Sequence, residues 1–366
     1  MFKEKSNLNL IQVLRGIASL LVVLLHTTVN SKEIFKKEFL GSFFSFGGAG
    51  VDIFFVLSGF IITYTSAKGL TQPRKMLPFL GRRFVRIFPT YWIIFTLFIL
   101  LQLALPSFYK THYNFTASNI CATLFLLPGH TMVNGVSWTL SYELFFYALF
   151  SLAFLLPGKK LAFALAMLYA LVIVVLALLG YNCENGNKWI DLLTSPMNIE
   201  FFMGILAAVL VRRIPLAYAI PLIVSGSLLF LGGGIFTDLG YRLLPTAFNR
   251  VVIFGIPSFL IITGLVKYEL NKKIRIHNFL LLLGEGSYSL YLVHLPVVVG
   301  CIRLMNKFNI QNDIILHALL LLMIVMICCA SILFFKCIER PIITKLNALK
   351  KFQTHLDHKT RGSIQS

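Results

Sequence analysis

The chain has 366 residues, 57% of them hydrophobic and 13% charged, about half the ~25% charged share of an ordinary soluble domain. So much apolar surface excludes a soluble globular fold, since membrane spans of about 20 mostly apolar residues would use it directly. The 33 basic against 14 acidic residues give a net charge of +19. The basic residues sit mostly in short loops between apolar runs, a pattern that points to membrane lipids and a phosphate-bearing cosubstrate rather than nucleic acid.

In chain order, MFKEK followed by an apolar run resembles a signal peptide. The run from Leu10 to Val29 is long, contains Arg15 and lacks a small-x-small cleavage site, so an uncleaved first span is expected. The apolar runs predict an all-α polytopic bundle of about ten transmembrane helices, at 10–29, 49–66, 87–105, 136–156, 161–180, 197–211, 216–236, 251–266, 279–300 and 313–335. With the N-terminus in the cytoplasm, 24 basic residues fall on inner segments and nine on outer ones, which predicts both termini inside a bacterial cytoplasmic (inner) membrane. Residues 1–342 form the membrane domain and 343–366 a basic cytoplasmic tail. The longest outer loop, 106–135, holds ICATLFLLPG at 120–129, too short to span and expected to be re-entrant or interfacial. The six cysteines show no metal-type spacing, and neither a disulfide framework nor a metal site is expected.

The first span puts Arg15 and His26 eleven residues apart, which is about 1100°, or ~20° from whole turns. Both therefore share one stripe, separated along the axis by about 16 Å. An intramembrane charge usually faces the bundle interior; a snorkelling anchor and an interfacial histidine are the plainer readings. In the second span, GGAGVDIFFVLSGFIITYT, Asp52 lies at the depth of His26 and is placed to orient its ring. The third span opens on RRFVRIFPTYW, whose Arg82, Arg83 and Arg86 suit phosphate or serve as a cytoplasmic anchor. Glu143 lies in the fourth span, VSWTLSYELFFYALF, among Trp138, Tyr142, Phe145 and Tyr147. Either a proton-transfer role or a structural hydrogen bond fits it. The ninth span, GSYSLYLVHLPV, carries Tyr288 and brings His294 to the outer half, with Pro296 freeing a carbonyl near Leu292.

These blocks, in this order, resemble the membrane acyltransferase-3 family, the O-acyltransferases of bacterial surface polysaccharides. The matching parts are Arg15-ten residues-His26, GVDIFFVLSGFI, RRFVRIFPTYW, SWTLSYELFFY and SYSLYLVHLP, and they extend over about residues 8 to 342. The wording is similar to that of exopolysaccharide-production acetyltransferases. The resemblance implies a ten-helix domain that moves an acyl group, acetyl by default, from cytoplasmic acyl-CoA to a carbohydrate hydroxyl. It also implies an essential histidine at His26, an essential arginine at Arg15 and an arginine pair at Arg83 and Arg86. The soluble outer domain that some members append is not expected in this chain.

The expected mechanism has the CoA phosphates at Arg15, Arg82, Arg83 and Arg86, with no bound cofactor. His26 acts as general base with Asp52 orienting it, or forms a transient acyl-histidine. Glu143 binds the sugar or shuttles a proton. Trp138, Tyr142, Tyr288 and His294 bind or support the acceptor, which is lipid-linked or free. The competing classes are a transporter or flippase for a lipid-linked sugar, working through a proton relay, and a regulatory or scaffold membrane protein.

Overall fold

The structure, a computed structural model, describes residues 8–105, 116–128, 135–181, 186–240 and 246–348. The first seven residues, parts of the 106–135 loop, Cys183 and the tail from residue 349 lie outside them. Regular structure among the described residues is helical throughout. In chain order the helices are α1 Asn9–Phe35, α2 Gly50–Ser66, α3 Met76–Ala104, α4 Ala117–Leu124, α5 Trp138–Leu152, α6 Lys159–Leu178, α7 Lys188–Thr194 and α8 Asn198–Leu210. They continue with α9 Ala219–Asp238, α10 Thr246–Arg250, a π-helical turn Val251–Gly255 leading into α11 Ile256–Asn271, then α12 Asn278–Glu285, α13 Ser287–Asn306 and α14 Asp313–Phe334. A second π-helical turn, Phe335–Glu339, carries the last helix on to residue 348. The five described cysteines are free.

Nine helical segments among the described residues are long and apolar enough to cross a membrane. The expected fourth span, 136–156, is the departure. It is α5, with 15 residues, about 22 Å at 1.5 Å per residue against a hydrocarbon core of ~30 Å. The chain leaves the helix in turns and bends at 153–157, ahead of Gly158. α5 nonetheless runs antiparallel to α3: Phe79 meets Phe154 at 5.2 Å between ring centroids, and Arg83 lies 5.5 Å from the Tyr147 ring. The described part of the short apolar piece, 120–128, falls in α4 and the turn after it. Side chains of its neighbours hold its terminal carbonyls: Tyr91 donates to Thr123 at 2.8 Å, Trp92 to Leu124 at 2.9 Å and Ser141 to Leu126 at 2.7 Å.

The position of α1 is fixed at two depths. Its first free N–H groups would cost energy if left unpaired, and Glu269 at the end of α11 accepts from Asn9 at 2.6 Å and from Leu10 at 2.9 Å. Further along, Gly16 and Gly284 let α1 cross the end of α12: a Cβ at Gly16 would lie 3.2 Å from the Gly284 nitrogen, and one at Gly284 would strike the Gln12 carbonyl. A second small-residue crossing joins α2 to α8, where a Cβ at Gly59 would strike the Phe201 carbonyl and one at Gly204 the Val56 carbonyl. Around that crossing Phe55, Phe201 and Phe146 stack at centroid distances of 4.6 and 4.4 Å.

At the start of α2, the buried Asp52 is clamped by Arg250. The Arg250 Nε donates to Oδ1 at 2.9 Å and to Oδ2 at 3.0 Å. One terminal nitrogen donates to Oδ2 at 2.7 Å and to the Gly48 carbonyl at 2.5 Å. This forked pair ties α10 to the start of α2. Losing one partner leaves an uncompensated buried charge, which typically costs about 3–5 kcal/mol. Arg250→Met should therefore lower the thermal midpoint of the detergent-solubilised protein sharply, and Asp52→Asn added to it should recover part of the loss. A single variant as heat-stable as wild type would rule the clamp out as a structural tie.

Candidate active site

Five helices line a cavity of about 150 Å³ at the Arg15 end of the bundle. Arg15 comes from α1, Ser58 from α2, Arg83 and Arg86 from α3, Glu143 and Tyr147 from α5, and Tyr288 and Tyr291 from α13. Three of the four arginines expected at a donor site thus converge. Arg82 is exposed and does not line the cavity. One residue further along α3 turns the side chain through about 100°, so Arg83 enters while its neighbour stays outside.

Each cationic group is held differently. Arg86 pairs at 3.3 Å with Glu339, a buried carboxylate from the π-turn that follows α14; Glu339 also accepts from Ser289. The Arg86 guanidinium lies 5.7 Å from the Tyr288 ring, and the Tyr288 hydroxyl donates to the Ile87 carbonyl at 2.9 Å. Arg83 lies between two rings, 5.4 Å from Phe79 and 5.5 Å from Tyr147, and its buried Nε has no hydrogen-bond partner among the described residues. Arg15 donates to Gln12 at 3.1 Å, and Arg86, Glu339 and Glu143 are its charged neighbours. Two carboxylates against three guanidiniums leave the cavity with a surplus positive charge and with donors suited to phosphate.

Glu143 belongs to this cluster. Its Oε1 accepts from Ser58 at 3.1 Å and from Tyr147 one turn along the same helix. The sequence leaves it a proton-transfer or a structural role; the packing of α5 against α2 and α3 turns it toward the arginines.

His26 lies nearer the other end, half-buried. Its ring neighbour is His294, at 5.2 Å between centroids. His294 is fully buried, its Nδ1 lies 3.2 Å from the Leu290 carbonyl, and its Nε2 has no partner among the described residues. Tyr291 bridges the two regions. It lines the arginine cavity, its ring is 5.8 Å from His294, and its hydroxyl meets Thr139 at 2.8 Å and the Val136 carbonyl at 3.0 Å. The expected partnership of Asp52 with His26 is replaced by the Arg250 clamp, which occupies both carboxylate oxygens. Asp52 faces α10, whereas His26 faces α13. Trp138 and Tyr142 stand behind the wall, edge to face at 5.7 Å, with Tyr142 against Phe55 at 5.8 Å.

Sequence reasoning passed over Ser58, Tyr291, Arg250 and Glu339 as site residues and named Tyr147 only as an aromatic neighbour of Glu143. Ser58, Tyr147 and Tyr291 lie inside the quoted blocks. Arg250 and Glu339 carried one available signal, a charge at the edge of an apolar run.

The family model described as an acyltransferase domain matches residues 8–335. The chain is 30% identical over 270 residues to the exopolysaccharide production protein ExoZ of Rhizobium meliloti (strain 1021), covering 70% of this chain and 78% of that protein. It is 27% identical over 319 residues to the acyltransferase MdmB of Streptomyces mycarofaciens, covering 80% and 79%. A further relative is nodulation protein 10 of Rhizobium leguminosarum bv. viciae, 28% identical over 191 residues, 46% of this chain and 50% of that one. No solved structure matches. Matched along nearly its whole helical bundle, the chain belongs to the acyltransferase-3 family and is a multi-pass membrane acyltransferase.

Proposed function

We propose that this acyltransferase moves an acetyl group from cytoplasmic acetyl-CoA to a hydroxyl of an exported polysaccharide or its lipid-linked precursor. The chain crosses a bacterial cytoplasmic membrane ten times, α5 being the short crossing, with both termini in the cytoplasm. Relatives named for exopolysaccharide production and for acyl transfer support the substrate class. The observation that carries the reading is geometric. Three arginines converge on a narrow cavity at one end of the bundle, and a single helix, α13, joins that cavity through Tyr291 and His294 to His26.

In this reading Arg15, Arg83 and Arg86 hold the CoA phosphates, and the pantetheine arm runs toward His26, about 16 Å further along α1. Glu143 offsets the mutual repulsion of the arginines and keeps their geometry. His26 takes the proton of the acceptor hydroxyl. The hydroxyl oxygen bonds to the thioester carbonyl carbon, the carbon–sulfur bond breaks, and the sulfur leaves with that proton as the CoA thiol. His294, rather than Asp52, sets the orientation of the His26 ring. No observation on the molecule favours the transporter reading.

His26→Ala, at wild-type protein level, should abolish acetylation of surface polysaccharide in cells and transfer of label from acetyl-CoA by the reconstituted protein; wild-type transfer would sink the catalytic assignment. Hydrogen bonds to charged groups contribute about 1.5–3 kcal/mol, so Arg83→Gln and Arg15→Gln should each raise the donor KM about ten- to a hundredfold. Glu143→Gln should alter the donor KM more than the acceptor KM. The opposite split would return Glu143 to the acceptor.

A further inference from the structure

A second cavity, of about 590 Å³, lies on the far side of α5 from the arginines. Adjacent residues of α5 face the two spaces: Tyr147 lines the arginine cavity and Phe146 lines this one. The second cavity is enclosed by the last turns of α2, by α5, by the first half of α6 and by the last half of α8. Its volume falls within the roughly 300–1,000 Å³ of small-molecule sites.

The reason for the gap is the way α6 is attached. Only 6% of its apolar window is buried, so it stands off from the bundle. It is pinned at separate points along its length. Lys159 donates to the Ala67 carbonyl at 2.7 Å, Tyr169 donates to the Leu193 carbonyl, and Ile173 packs with Ile199 and Val251. The cavity lies between the first two pins.

Its lining is graded. The floor is aromatic and aliphatic, from residues such as Phe146, Ala166 and Phe202, and such a surface gives water too few partners. At the Arg15 end of the bundle the wall ends in three cations, Lys159, Arg212 and Arg213, and no carboxylate lines the space. Arg212 lies 5.9 Å from the Tyr64 ring. Beside Tyr64, the Thr63 hydroxyl is buried, lines the cavity and has no hydrogen-bond partner among the described residues, although a helical threonine ordinarily bonds the carbonyl one turn back. Hydrocarbon, then one polar hydrogen-bonding group, then a cationic mouth is the order of parts along a glycerophospholipid: acyl chain, ester, phosphate.

We propose that this cavity is a binding site for one anionic glycerophospholipid of the leaflet on the Arg15 side. An acyl chain fills the space between α6 and α8, an ester carbonyl accepts from Thr63, and the phosphate lies at Lys159, Arg212 and Arg213. The lipid completes the packing of α6 and is neither donor nor acceptor of the acyl group.

The test is native mass spectrometry of the full chain, purified in a mild detergent, delipidated and titrated with phosphatidylglycerol or phosphatidylethanolamine. Wild type should retain one phosphatidylglycerol per chain before delipidation, and should rebind it at a concentration at least tenfold below that needed for phosphatidylethanolamine. Ala166→Phe, which fills the cavity, should lose both lipids. Arg212→Gln with Arg213→Gln should erase the tenfold preference. If Ala166→Phe does not fold, the double variant at two exposed positions decides alone. Equal affinity for the two lipids, unchanged binding in the variants that fold, or a co-purified polyprenyl phosphate or acyl-CoA in place of the phospholipid would overturn the proposal.

Discussion

A carboxylate inside an apolar bundle is costly without a donor, and four carboxylates in this protein take one from another helix. Asp52 takes Arg250, Glu339 takes Arg86 and Ser289, Glu143 takes Ser58, and Glu269 takes the first two N–H groups of α1. Each pairing joins segments far apart in sequence, 198 residues for Asp52 and Arg250 and 253 for Arg86 and Glu339. Apolar packing in a membrane has little orientational preference, because lipid tails are as apolar as leucine. The polar pairs and the glycine crossings supply the register that hydrophobic contact cannot.

The same pairs divide the molecule into two functional depths. Glu339 and Tyr288 fix Arg86 from opposite sides, so the arginine nearest the last helix is positioned by that helix. Arg83, cradled by rings rather than carboxylates, keeps hydrogen-bonding capacity for a ligand. At the other depth His26 has a ring neighbour and, among the described residues, no countercharge clamp of the kind that holds Asp52. A fixed cation site and a less constrained imidazole are what anchoring a donor and moving a proton respectively require.

Much of this was legible in the sequence, and the part that was not has one cause. Helix rise converts residue number into depth, so the spans, the common stripe of Arg15 and His26 and the arginines at the start of α3 could all be read. Azimuth between helices depends on packing, which one chain's periodicity does not encode. Asp52 was therefore assigned to the histidine at its own depth although it faces Arg250, and Glu143 was separated from the arginines it joins. Apolar length alone also overstated α5, whose helix ends before the apolar run does. Arg250 was visible only as a topology charge and Glu339 was not singled out, because their partners lie more than half the chain away.

The narrowness of the arginine cavity constrains what an acyl-CoA donor would do. At about 150 Å³ it is below the roughly 300 Å³ at which small-molecule sites begin, and a nucleotide does not fit inside it. The adenosine and its phosphates would dock at the mouth, and only a chain the width of pantetheine would pass between Tyr288 and Tyr147. That requirement gives the tyrosines a purpose beyond packing. With their hydroxyls committed to Ile87 and Glu143 and their rings 5.7 and 5.5 Å from the Arg86 and Arg83 guanidiniums, they would border the passage as fixed walls. The arginines would then select the donor at the surface, and the passage would deliver only its thioester to the depth of His26.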